Sequence, residues 1–123
     1  MSKKKILVIE DEKPLINALS AKLQNEGFQV VEANDGKSGL KAALKHKPDL
    51  ILLDIILPKM DGIGILENLR ENAWGKSAKV IILTNLSDWD STKKAVNLNV
   101  HDYLVKSDWN IKDVVKKVKS KLK

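Results

Sequence analysis

The sequence has no cysteine, only one arginine, and few aromatic residues. The absence of cysteine excludes disulfides, thiolate metal sites and cysteine nucleophiles, and it is compatible with a reducing cytosol. No apolar run approaches the ~20 residues that a membrane-spanning helix requires. The first run, Ile6–Ile9, is followed at once by Glu10 and Asp11, so we expect no signal peptide. These absences predict a cytoplasmic protein without membrane insertion.

The positive charge is concentrated at one end of the chain. The formal net charge is +6, and residues 111–123 contain six lysines and one acid, Asp113. Arg70 is the single arginine, although side chains that read nucleic-acid bases and phosphates are often arginines. We therefore interpret the lysines as the solvated face of one helix, and we expect no nucleic-acid partner.

Short apolar runs alternate along the chain with segments of helical periodicity. The run Leu50–Leu53 is too short for an ordinary helix and has no polar face, so it predicts a strand buried on both sides. The other predicted strands cover residues 5–9, 28–33, 78–83 and 101–105. A helix is predicted after each strand, with a short fourth helix near residues 88–96. The last helix carries an apolar stripe of Ile111, Val114, Val115, Val118 and Leu122. This alternation predicts one α/β domain over residues 1–123, with a parallel sheet covered by helices on both faces.

Polar residues end four of the five predicted strands. They are Glu10 and Asp11, Asp54, Thr84, and Lys106. The carboxyl ends of parallel strands lie at the same edge of a sheet, where open α/β folds bind ligands. Carboxylates in such a group repel one another unless a cation is present, and an all-oxygen donor set suits magnesium. With a carboxylate nucleophile, a hydroxyl and an ammonium nearby, the group is suited to phosphoryl transfer.

Five motifs then give the sequence a close family resemblance. The motifs are Ile6–Glu12, Asp49–Asp54, Leu57–Gly62, Ile82–Thr84 and Asp102–Lys106. In this order and spacing they resemble the CheY-like receiver domains of two-component response regulators. The resemblance implies a flavodoxin-like, doubly wound (βα)5 fold whose five parallel strands have the order 2-1-3-4-5. Because the chain stops after the predicted last helix, we expect residues 1–123 to form a stand-alone receiver without an output domain.

The resemblance assigns a role to each site residue. Asp54 resembles the phosphoacceptor, and Lys106 and Thr84 would contact the phosphoryl group. Tyr103 resembles the aromatic residue that switches together with Thr84, although an ordinary tyrosine at a sheet surface would look the same. The implied metal is Mg²⁺, with Mn²⁺ as a substitute. Its ligands would be Glu10, Asp11, Asp54 and the backbone carbonyl of Ile56.

The implied function is phosphorylation-dependent signalling. A histidine kinase or a histidine phosphotransfer protein would donate the phosphoryl group to Asp54. Phosphorylation would switch a surface formed by the fourth helix, the fifth strand and the last helix, which would then bind a downstream protein. The chain would not be a conventional enzyme, although it would catalyse its own phosphorylation and dephosphorylation. We expect a monomer or a phosphorylation-dependent dimer.

Two positions depart from the family pattern, and two alternatives stay open. Ser107 replaces the usual proline after the lysine, so no cis bond is expected there and Lys106 is expected to be less fixed. Asn85 replaces the usual small residue after the threonine, which predicts a changed phosphoryl lifetime. One alternative function is a constitutive interaction module. The other is an aspartate-dependent phosphatase, which is disfavoured because Ile56 occupies the position of its second acid.

Overall fold

A computed structural model describes residues 3–54, 62–84, 93–94, 96–100, 102–105 and 110–122, with the side chain of residue 84 excepted. The strands are β1 (Lys5–Ile9), β2 (Gln29–Ala33), β3 (Leu50–Asp54), β4 (Val80–Thr84) and β5 (Asp102–Val105). The helices with defined bounds are α1 (Lys13–Asn25), α2 (Gly36–His46), α3 (Gly62–Glu71) and a helix over Ile111–Leu122, called the C-terminal helix below. A short 3₁₀ helix, Gly75–Ser77, precedes β4.

The five strands form one parallel sheet in the order β2-β1-β3-β4-β5. This confirms the predicted doubly wound fold and strand order. All five residues of β3 are buried, as its apolar sequence predicted. The predicted strand bounds are correct to within two residues, and β4 extends one residue further than expected, to Thr84.

Helices cover both faces of the sheet because successive strand residues point to opposite sides. On one face, Leu7 and Ile9 pack in a core with Ile65, Leu66 and Leu69 of α3. On the other face, Ile6 and Val8 pack with residues of α1 and the C-terminal helix. The predicted apolar stripe of the C-terminal helix is confirmed: Val114, Val115 and Val118 are buried, and Ile111 and Leu122 pack partly against the same core.

Local signals in the sequence set the ends of α2. The Asp35 side chain caps the helix, because its Oδ1 accepts a hydrogen bond of 2.8 Å from the Ser38 backbone N–H. At the other end Lys47 adopts a left-handed backbone conformation with φ of 44°, immediately before Pro48. The residues between β2 and β3 thus form a cap and a stop of the kind that Asp35 before a helix and Pro48 after it favour.

The lysine face of the C-terminal helix is partly neutralised by acids from distant parts of the chain. Lys121 Nζ lies 2.5 Å and Lys117 Nζ 3.4 Å from the carboxylate of Asp102. The hydrogen bond from Lys121 is the main reason that the pKa of Asp102 is lowered. Lys119 binds Glu26 at the end of α1, and this contact lowers the pKa of Glu26. The face is therefore less uniformly solvated than the sequence indicated.

The predicted fourth helix falls mostly outside the described residues. Residues 93, 94, 96 and 97 are helical, and the rest of the segment that follows β4 up to residue 92 is not described.

None of the helices in the described part of the chain is long and apolar enough to cross a membrane.

Candidate functional site

Three carboxylates meet where two neighbouring strands end. Glu10 and Asp11 directly follow β1, and Asp54 is the last residue of β3. Because Ile9 lies opposite Leu53 in the parallel pair, Glu10 and Asp54 reach the same edge of the sheet. One carboxylate oxygen from each of Glu10, Asp11 and Asp54 lies within 4.8 Å of the others. The structure thus brings together the three acidic side chains that the sequence predicted.

The backbone around β1 holds this group in place. The Glu10 N–H donates to the carbonyl of Ala33 at 3.1 Å, which continues the hydrogen bonding between β1 and β2 by one residue. Oε2 of Glu10 then accepts a hydrogen bond of 3.2 Å from the Glu12 N–H. Glu10 is fully buried and Asp54 is 4% exposed, whereas Asp11 is exposed. The group therefore has two buried carboxylates and one at its solvent-facing rim.

The donor set of this group fits a hard divalent cation. Three ionised carboxylates this close together repel one another, and a cation between them removes that repulsion. All the donors are oxygens, and the set includes neither histidine nor sulfur, as Mg²⁺ prefers. Three carboxylates leave part of an octahedral shell for other ligands. Glu10, Asp11 and Asp54 could therefore hold Mg²⁺ and leave positions for water or a phosphoryl oxygen.

A cleft of about 370 Å³ opens beside the acids, between the first turns of α1 and α2. Its polar lining includes Glu10, Asp11, Lys13, Asn17, Asn34 and Ser38. The sequence analysis did not single out the last four of these residues. A signal for them was present, since all four lie in or just after the loops that leave β1 and β2 at the edge of the sheet that carries the acids. The cleft gives the acidic group a solvent-accessible approach.

The backbone of β4 and β5 extends the same edge of the sheet. Leu83 lies opposite Asp54, so Thr84 comes one residue further along the neighbouring strand. Thr84 is in turn opposite Val105, which Lys106 follows in the sequence. The Thr84 side chain and the whole of Ile56, Asn85, Lys106 and Ser107 lie outside the described residues, so their predicted roles stay predictions.

Tyr103 lies in β5 opposite Ile82, and it is 39% exposed. This position, on the outer strand of the sheet, is expected for the switch residue and equally for an ordinary surface tyrosine, so it does not distinguish the two. Val96, in the segment before β5, is exposed to 44%. Both exposed side chains therefore belong to segments from which the switching surface was predicted.

Comparison with known proteins identifies the family. The model of the response regulator receiver domain matches residues 6–119. The chain is 38% identical over 104 residues to the alkaline phosphatase synthesis transcriptional regulatory protein PhoP of Bacillus subtilis, which covers 84% of this chain. It is 34% identical over 119 residues, or 97% of this chain, to the response regulator ArlR of Staphylococcus saprophyticus. The chain belongs to the response regulator receiver family of two-component signalling.

Solved structures show the same fold. The chemotaxis response regulator CheY4 of Vibrio cholerae matches with a TM-score of 0.90 and 25% identity, covering 98% of this chain and 100% of that one. A CheY-like receiver domain from Methanospirillum hungatei also has a TM-score of 0.90, with 28% identity over 98% of this chain and 94% of its own. Both similarities cover nearly the whole chain, so the likeness is to a complete receiver fold.

The curated relatives are longer proteins. The matched region covers 42% of PhoP and 52% of ArlR, so the chain spans about half the length of these relatives. Binding of Mg²⁺ and phosphorylation of an aspartate are general features of receiver domains.

Proposed function

We propose that this chain accepts a phosphoryl group on Asp54, in a magnesium-dependent reaction, from a histidine kinase or a histidine phosphotransfer protein. The observation that carries the proposal is the position of Asp54: its carboxylate is almost fully buried, yet it lies within 4.8 Å of oxygens of Glu10 and Asp11. A carboxylate needs no deprotonation to act as a nucleophile at neutral pH. Its two acidic neighbours supply the ligands for a cation that phosphoryl transfer requires.

The chain provides the groups that this phosphoryl transfer requires. A carboxylate oxygen of Asp54 forms a bond to phosphorus as the P–N bond of the donor phosphohistidine breaks, and the departing imidazole nitrogen keeps the electron pair. Glu10, Asp11 and Asp54, with the Ile56 carbonyl that the family resemblance implies, would hold Mg²⁺, which would supply positive charge for the phosphoryl oxygens. Lys106 contributes a second positive charge, and the Thr84 hydroxyl donates a hydrogen bond to the transferred group. Water later attacks the phosphorus of the acyl phosphate, the bond between phosphorus and the Asp54 oxygen breaks, and inorganic phosphate leaves as the carboxylate is restored.

The output of this reaction is a shift in the population of two conformations. The proposed switching surface consists of the segment before β5, β5 itself and the C-terminal helix. Exposed Tyr103 and Val96 give this surface an apolar component to which a downstream protein can bind. We propose that residues 1–123 act as a single cytoplasmic receiver domain. It is a monomer, or a dimer when phosphorylated.

Phosphorylation can be tested directly with a small donor. Incubation with Mg²⁺ and acetyl phosphate is expected to add the mass of one phosphoryl group to the wild-type protein, as measured by intact-mass spectrometry. Asp54→Ala is expected to show no addition, because it removes the carboxylate that ends β3 and that the proposal assigns as the acceptor. Equal labelling of both proteins, or no labelling of the wild type, would falsify the assignment. The second result would favour a constitutive interaction module.

Magnesium binding is expected to stabilise the folded state. A ligand that binds only the folded protein contributes about 2.7 kcal/mol at a free concentration of 100 times its Kd, which corresponds to a rise in Tm of roughly 10 °C for a domain of this size. Asp11→Asn should lose most of this rise, because it removes one of three clustered carboxylates. Thermal unfolding followed by circular dichroism, with and without MgCl₂, measures the effect.

Glu12→Gln is the matched control for this experiment. It removes the same charge one residue away, from an exposed side chain outside the acidic group. The control should keep the magnesium-induced rise in Tm. If Asp11→Asn also keeps it, then Asp11 is not a metal ligand.

A further inference from the structure

A second cleft lies at the edge of the sheet opposite the acidic group. It has a volume of about 200 Å³ and lies between the residues that lead into β4 and those that lead into β5. Four cationic side chains line it, from Arg70, Lys76, Lys79 and Lys121, together with the polar residues Ser77 and Asn99. In the part of the chain that the structure describes, no acidic residue lines this cleft.

Arg70 gives the cleft a positive charge that is fixed in position. Its Nε donates to the Leu98 carbonyl at 2.8 Å, and its Nη1 donates to the carbonyls of Gly75 and Ala78 at 2.6 and 2.9 Å. Nη2 donates to the Asn99 carbonyl at 3.4 Å. A guanidinium has five N–H groups, so these four bonds leave one N–H on Nη2 for another acceptor.

The charge of this guanidinium is compensated by carbonyl dipoles alone among the described residues. No described carboxylate forms an ion pair with Arg70, and partial burial lowers the pKa of its guanidinium. A cation that is partly removed from water and lacks a counter-ion attracts an anion more strongly than one in bulk solvent does. Asp102 neutralises Lys121 in part, which leaves the excess charge with Arg70, Lys76 and Lys79.

The loop that carries these lysines is held by its own hydrogen bonds. Oδ1 of Asn72 accepts from the N–H groups of Trp74 and Gly75 at 3.0 and 3.4 Å. The Lys76 N–H donates to the Asn72 carbonyl at 3.0 Å, and the Ile51 N–H donates to the Lys79 carbonyl at 2.9 Å. The backbone at both lysines is therefore fixed, so their ammonium groups extend from defined points at the rim of the cleft.

We propose that this cleft binds an oxyanion with two phosphate groups. Lysine ammonium groups and an arginine N–H are the side-chain donors that suit phosphate oxygens. Two phosphate groups together carry several negative charges, which match the three cations, Arg70, Lys76 and Lys79, that Asp102 leaves without neutralisation. The source is either a free diphosphate group or the phosphorylated headgroup of a lipid, since both present the same chemistry.

This site is separate from the proposed phosphorylation site, and it does not depend on that function. β4 begins at Val80, beside the cleft, and ends at Thr84, next to Asp54. The two ends of β4 are about 13 Å apart, because four residue steps of ~3.3 Å lie between Val80 and Thr84. The carboxylates at the far end repel anions, so in the absence of Mg²⁺ a phosphate ligand should distinguish the two edges of the sheet.

Titration with pyrophosphate in magnesium-free buffer tests the proposal. The ¹⁵N-labelled protein, residues 1–123, is followed by NMR. The expected result is a saturable shift of the amide signals of residues 76–79 and 98–100, with those of residues 10–12 and 54 unchanged. The double variant Lys76→Gln/Lys79→Gln should weaken binding at least about tenfold, because it removes two of the unneutralised charges. Lys37→Gln/Lys41→Gln makes the same change in net charge on exposed positions of α2, and its affinity should stay within about twofold of wild type.

The outcomes separate a site from general attraction to a basic protein. Equal weakening in both double variants, shifts spread over all lysine-rich segments, or no saturable shift would overturn the proposal.

Co-sedimentation with phosphatidylcholine vesicles, with and without phosphatidylinositol bisphosphate, identifies the source of the phosphate groups. If the protein binds the phosphoinositide vesicles, and only Lys76→Gln/Lys79→Gln loses this binding, the ligand is a lipid headgroup. If the protein binds pyrophosphate but not the vesicles, the ligand is a free diphosphate. Labelling of Asp54 by acetyl phosphate should be the same in both double variants.

Discussion

Replacing Gly75 by alanine is expected to lower the free energy of unfolding by at least ~3 kcal/mol. Gly75 is buried at the start of the 3₁₀ helix that leads into β4. A Cβ atom added there would lie 1.9 Å from the Leu69 carbonyl oxygen and 2.7 Å from its carbon. Both are backbone atoms at the end of α3, so the clash cannot be relieved by turning a side chain. The loop or the helix end must move instead.

Urea unfolding of the wild type and Gly75→Ala measures this loss, and Gly27→Ala is a suitable control. Gly27 has a positive φ of 96°, but a Cβ there would meet nothing within 4 Å. Alanine at this position should cost only about 1 kcal/mol, from backbone conformation alone. If the two variants lose the same amount of stability, then close contact with Leu69 is not the reason that residue 75 is glycine.

Arg70→Met is expected to destabilise the fold by about 2–4 kcal/mol. Methionine keeps much of the aliphatic volume but removes all four hydrogen bonds to the carbonyls of Leu98, Gly75, Ala78 and Asn99. Hydrogen bonds from a charged donor contribute more than neutral ones, and partly buried carbonyls left without a donor add to the loss. Because Leu98 and Asn99 belong to the segment before β5, the damage should spread into the proposed switching surface.

Two measurements distinguish this role from a general effect of charge. Arg70→Lys should recover less than half of the lost stability, since an ammonium group cannot donate along the directions of the planar guanidinium. Lys79→Met removes one charge from the same cleft without breaking a described side-chain hydrogen bond, and it should change stability by less than ~0.5 kcal/mol. Hydrogen exchange at residues 98–105 should accelerate in Arg70→Met. Unchanged exchange there would show that the arginine does not hold this segment.

The sequence predicted those parts of the fold that depend on local pattern. The apolar run Leu50–Leu53 became the central strand, and the stripe of Val114, Val115 and Val118 became the buried face of the C-terminal helix. Asp35 became a helix cap. In each case the cause lies within a few residues, because strand and helix periodicity and capping act over one or two turns.

The candidate site was predictable for a different reason. Glu10, Asp11 and Asp54 are far apart in sequence, but each follows a recognisable strand, and parallel strands bring their carboxyl ends to one edge. The alternation of elements was therefore enough to place the three acids together. Their spacing within 4.8 Å and the burial of Glu10 and Asp54 came only from the packed sheet.

Long-range side-chain pairing was the part that the sequence analysis missed. The lysines of the C-terminal helix were interpreted as a solvated face, yet Lys119 binds Glu26 and Lys121 binds Asp102. Arg70 was noted only as a lone arginine, and nothing in its neighbourhood along the chain shows that four carbonyls converge on it. Such contacts depend on where whole elements meet, and no local pattern encodes that position.

By itself, then, the sequence determined the elements, the edge of the sheet that carries the acids, and the receiver family whose motifs it contains. The tertiary structure decided which charges meet. It brought three carboxylates together at one edge of the sheet and an arginine with three lysines at the opposite edge. Both groups form because paired strands fix the distances between the chain segments that begin and end at each edge. A side chain acquires a partner only when the packing of distant elements brings that partner within hydrogen-bonding range.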